Sequence, residues 1–105
     1  MALAMKNLAD GQLPAVTGDL YTSTGVQTLI KTIKLVNTDS AARTVNIYLL
    51  PNGGTARRII PKDCSMGIGY MIEEECNLTL DAGDKIQGDA SAATAVDFII
   101  QGAQD

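Results

Sequence analysis

Two stretches of strict alternation limit what this chain can fold into. Ile33 and Leu35 alternate with Thr32 and Lys34, and Val45, Ile47 and Leu49 alternate with Thr44, Asn46 and Tyr48. A period of two belongs to β-strands with one face on a core and the other facing water or a partner. Between them lies Asn37-Thr38-Asp39-Ser40, short polar side chains that bond the local backbone and favour turns. A second turn, Pro51-Asn52-Gly53-Gly54, leads into Thr55–Ile60. The stretch Lys31–Ile60 is therefore expected to form two consecutive hairpins, a meander that the remaining strands cover.

The rest of the chain extends this pattern. Gly18–Thr24 reads as a first strand. Val26–Asn37 is long for one strand, so a bulge is expected near Thr28–Ile30. Pro61, lacking an amide donor, should end a strand or sit at an edge. Met66–Ile72 alternates Gly67, Gly69 and Met71 against Ile68, Tyr70 and Ile72, glycines that suggest a close neighbour on that face. Glu73-Glu74-Glu75 reads as a solvated acidic corner. Cys76–Leu80, Lys85–Gly88 and Thr94–Gln101 supply further strands. Between them Asp81-Ala82-Gly83-Asp84 forms a tight turn in which Gly83 takes positive φ, and Asp89–Ala93 forms a loop. About eight short strands with a turn signal about every ten residues describe an all-β fold, an antiparallel β-sandwich or jelly roll. Helical spacing occurs only near the start, where Met1, Leu3, Met5 and Leu8 share one side of a short helix ended by Gly11 and Pro14. Residues 1–17 are accordingly expected as an N-terminal arm, frayed or docked on a neighbour, and 18–105 as a single sandwich domain.

With 105 residues, the chain has room for one modest core. Domains of this size are stabilised by disulfides, metals or association with other chains. Cys64 and Cys76 are the two cysteines, and the sequence has no histidine and no tryptophan. A zinc site would need carboxylates for half its ligands, so the cysteines read as small buried hydrophobes in a reducing cytoplasm. The N-terminus does not resemble a signal peptide, and no stretch reaches the length of a membrane span. A net charge of −4 with no basic cluster disfavours direct contact with nucleic acid.

Catalysis finds few candidates. Without histidine there is no Ser-His-Asp or Cys-His arrangement. Carboxylates occur at Glu73–Glu75, Asp81, Asp84 and Asp89, but their spacing matches no calcium loop, and turn aspartates commonly bond their own backbone. The expectation is a non-enzymatic protein without cofactor or metal.

The segments LADGQLPAVTGDLYT, IKLVNTDSAARTVNIYLLPNGGTARRIIPKD and LTLDAGDKIQGDASAATAVDFIIQG resemble, in order and over nearly the whole chain, small structural proteins of tailed bacteriophages and prophages. The AGDKI element also occurs in cupins, whose metal histidines are missing here. The resemblance implies a virion component assembled in the host bacterial cytoplasm: a capsid decoration or head accessory subunit, contacting major capsid or other virion proteins. A tail- or fibre-associated module binding a receptor or carbohydrate is the alternative. Such a subunit would self-associate as a trimer or larger ring. The interface candidates are Tyr48, Leu50 and Ile99, which point away from the expected core faces; Arg57 and Arg58, which point to opposite faces of one strand so that at least one reaches a surface; and Met1, Leu3, Met5 and Leu8 on the arm.

Overall fold

Ile33 and Leu35 meet Val45 and Ile47 across a shared core, but from opposite sheets. In the computed structural model, which describes residues 4–25 and 27–105, nine strands form two antiparallel sheets. They are β1 (Ala4–Gln12), β2 (Gly18–Thr22), β3 (Gln27–Asn37), β4 (Arg43–Leu50) and β5 (Arg57–Arg58). The remainder are β6 (Cys64–Met66), β7 (Met71–Asp81), β8 (Lys85–Ala90) and β9 (Val96–Gln104). One sheet has the order β1-β9-β3-β7; the other runs β2-β8-β4, with β5 and β6 both on the far side of β4. Apart from the β4–β5–β6 segment, every connection passes from one sheet to the other. This is the connectivity of a jelly roll, two Greek keys folded face to face.

The first hairpin of the expected meander therefore does not exist. β3 pairs with β7 and β9, and β4 with β8, β5 and β6, so Asn37–Ser40 is an arch between sheets. Both strands must point their apolar faces into the same core, which two strands on opposite sheets do as well as two neighbours. Asn37 holds the arch. Its buried side chain donates to the carbonyls of Ala41 (3.0 Å), Met66 (3.1 Å) and Gly67 (3.2 Å) and accepts the Asp39 amide. Arg43 pairs with Asp39 behind it, and that hydrogen bond, with the Ser40 amide, lowers the Asp39 pKa. The second turn closes a hairpin as expected, with Gly53 at φ 73° and Gly54 N–H bonded to Pro51 O. Its return strand is only Arg57–Arg58, and β6 resumes the edge beyond Pro61.

Three other segments differ from the sequence reading. Ala4–Gln12 is an extended strand on the outer edge of β9, so the expected helix is absent there and this part of the arm belongs to a sheet. The backbone amides and carbonyls on that side of β9 find their partners in it. Met66–Ile72 is broken by the Gly67–Tyr70 loop, in which Gly69 has φ 74° and Tyr70 N–H bonds Gly67 O. Glu73–Glu75 is no corner but part of β7, an eleven-residue edge strand. An edge leaves all three carboxylates in water, which is what their charge requires.

A line of irregularities crosses the first sheet. Lys31 is an extra residue on β3 relative to β9, Leu8 on β1, and Cys76-Asn77 oppose Lys31 from β7, with Asn77 at φ 48°. The expected bulge on β3 is thus real and lies one residue beyond its anticipated span. It reverses the phase of the strand, so that Thr28 and Ile30 point inward before it and Ile33, Leu35 and Asn37 after it. β9 approaches closely at this level: a Cβ on Gly102 would overlap the Leu29 carbonyl oxygen. Only glycine fits.

Two substitutions test this framework. Gly102→Ala should destabilise the fold by about 3 kcal/mol, lowering the melting temperature by roughly 10 °C or more; a thermal melt matching the parent would show that the ladder relaxes freely. Asn37→Ala should cost about 1–3 kcal/mol in urea unfolding, because buried carbonyls lose their donor. An unchanged midpoint would remove Asn37 from its role in the arch.

Candidate interaction surface

The sandwich is open along the side where β7 edges one sheet and β5 and β6 edge the other. A cleft of about 280 Å³ runs between these lips. Its floor is Leu49, Ile59, Cys76 and Leu78, half-buried side chains packed on the core. Arg57 and Arg58 form one wall and Glu74 and Glu75 the other. Burial, and then the nearby Glu74 charge, push the Cys76 thiol up to about 11. It is neutral at physiological pH and acts as a small hydrophobe, not a nucleophile. Among the described residues, neither Arg57 nor Glu73, Glu74 or Glu75 takes part in a salt bridge.

Arg58 is engaged differently. Its guanidinium stacks 4.9 Å from the centre of the Tyr48 ring and Nη1 donates to Asn46 Oδ1 at 2.6 Å. Asn46, on the outer face of its sheet yet only 6% exposed, donates to Asp89 at 2.9 Å and Asp63 at 3.1 Å. Asp89 also accepts from Thr17 at 2.6 Å, and Asp63 N–H returns to Asn46 Oδ1. Further along the face, Gln87 and then Lys85 hydrogen-bond Asp19 and hold its carboxyl below the usual carboxylate range. The outer face of this sheet is therefore covered by its own polar groups.

The residues singled out from sequence do not form one surface. Tyr48, Arg57 and Arg58 meet at the β4–β5 lip, and Leu50 ends β4 nearby, half-buried. Ile99 lies on the outer face of the other sheet, in a shallow hollow with Thr32, Lys34, Glu73 and Gln101. Met5 is 68% exposed on β1, at the opposite edge, whereas Leu8 on the same strand packs partly on the core. Met1 and Leu3 fall outside the described residues. Sequence reading missed the second lip, Glu74 to Leu78. The signal was present: Leu78 and Leu80 continue back on a period of two through Cys76 and Glu74 to Ile72, and the glutamates hid it by imitating a loop.

Comparison with known proteins bears on the fold. No protein-family model matches the sequence, and no curated protein matches it either. Among solved structures, a chain in the structure of infectious bursal disease virus Gt strain is similar over 97% of this chain, with TM-score 0.50 and 13% identity. A chain in the structure of the Gx strain aligns over 98%, with TM-score 0.49 and 16% identity. This chain spans only 30% and 31% of the length of those two chains. At such low identity, what the chain shares with the Gt-strain structure is the two-sheet fold described above.

Proposed function

We propose that this chain is a non-enzymatic structural subunit of a virus particle, self-associating and bound to other virion proteins. The observation that carries the reading is the jelly-roll connectivity, similar over nearly the whole chain to part of a chain in a virus structure. The sequence supports it independently through its resemblance to small virion proteins of tailed bacteriophages. Within that reading, the role is capsid decoration or head accessory, in a particle assembled in the bacterial cytoplasm, with the major capsid protein as partner.

The physical character of the domain suits a subunit that gains stability from its neighbours. A chain of this size buries only about two-thirds of its unfolded surface, and binding partners add to the stability of a marginal fold by mass action. Half-buried apolar side chains remain along the open edge. The histidine-free sequence lacks the commonest general base and metal ligand.

Purified particles from the producing strain provide the test. The chain should band with them in a density gradient and be found by mass spectrometry in a copy number comparable to that of a shell protein. Particles free of the chain would overturn the virion assignment.

A further inference from the structure

The two lips of the cleft on the open side carry opposite charges, and among the described residues Arg57, Glu74 and Glu75 take part in no salt bridge. Arg57 stands exposed on β5, and Glu74 and Glu75 stand exposed on β7, with half-buried apolar side chains between them. We propose that this cleft is the contact surface for a second copy of the chain, related to the first by a two-fold axis running along the cleft, parallel to the strands.

The choice of axis follows from the charges. A two-fold contact sets residue i of one copy against residue j of the other, and j against i, so the surface must be complementary to itself. Rotation about an axis along the cleft lays each β5 lip over the other copy's β7 lip. Arg57 of each copy then faces the partner's glutamates, twice over, and the apolar floors close on one another. An axis across the cleft would set arginine on arginine and glutamate on glutamate.

Competing modes of self-contact are opposed by the same residues. Joining β7 to a second β7 strand would bring the Glu73–Glu75 runs together, and like charges across a ladder are destabilising. The Cys76-Asn77 irregularity also disrupts that edge, and charges and bulges on an edge strand are the usual obstacles to strand addition. The outer face of the β2-β8-β4 sheet has already bonded its own polar groups. A two-fold contact differs from the trimer or larger ring expected from sequence, and a second contact elsewhere would be needed to build a higher assembly on it.

This inference rests on the self-association proposed above and assigns it a surface. The experiment uses the full chain, with Arg57→Glu and Glu74→Arg made separately and sedimentation equilibrium run over a wide concentration range. Both positions are exposed, and circular dichroism melts matching the parent establish that the variants fold. The parent should dimerise. Each single variant should dimerise about tenfold more weakly or worse, since both of its charge contacts become repulsive. Mixing the two variants should restore association to within about threefold of the parent, because both contacts in the mixed pair are again between opposite charges. Self-association unaffected by either reversal overturns the cleft while leaving self-association in place. Weakening without rescue in the mixture overturns the two-fold pairing of lips. A parent that stays monomeric overturns the self-association itself.

Discussion

The ladder between β3 and β9 is the constraint on which the rest of the sandwich depends. β9 lies between β1 and β3, and β3 between β9 and β7, so every strand of that sheet attaches through this pair. Its inward side chains, Ile30, Ile33 and Leu35 with Val96, Phe98 and Ile100, face Val45, Ile47, Ile86 and Ala90 from the β4–β8 ladder opposite. These two ladders back onto one another, and the outer strands pack against them. The close approach at Gly102 falls at the line of bulges, where β3 takes up an extra residue without losing its inward face. One residue without a side chain thus lets two phases of alternation coexist in a single strand.

Much of this was legible in the sequence because it is local. The alternation at Ile33–Leu35 and Val45–Leu49 places core residues correctly, and the length of the Val26–Asn37 run requires a bulge. Gly53 and Gly83 sit at positive φ where the turn chemistry demands it. Partner choice was not legible. Asn37-Thr38-Asp39-Ser40 has the composition of a hairpin turn, and an arch between sheets uses the same short polar residues. What distinguishes them is that Asn37 is buried and bonded to the Met66 and Gly67 carbonyls, some thirty residues away in sequence. Nothing within the turn records that contact.

The same limit explains the glutamates. Three consecutive carboxylates argue for solvent, and a loop is the simplest way to reach it. An edge strand is another way, since its outer-face side chains meet water and its core-facing positions lie at the open rim. The interface candidates suffered similarly. Arg57 and Arg58 are adjacent on β5 and pair with Leu49 and Tyr48 respectively; Arg58 is tied to Tyr48 and Asn46 within the chain, and Arg57, among the described residues, takes part in no salt bridge. Adjacent residues on one short strand therefore differ in role: one arginine completes the polar cover of a sheet and its neighbour stands on the lip of the cleft.

An unclosed sandwich has two open sides, and here they are not equivalent. On one, β1 and β2 lie close enough to touch, and Leu8, Leu20 and Tyr21 pack onto the core. On the other, the edge of the second sheet is divided between the two-residue β5 and three-residue β6, with Pro61 and the left-handed Asp63 between them. Proline cannot donate to a ladder, so this edge cannot be continuous. A continuous edge strand would cover Leu49, Ile59, Cys76 and Leu78; the interrupted one leaves them as a floor. The cleft is therefore a consequence of how β5 and β6 are separated, and the charges on its lips decide what can cover it. For a domain with so small a core, closing this side removes from water apolar surface that the described residues leave half-buried.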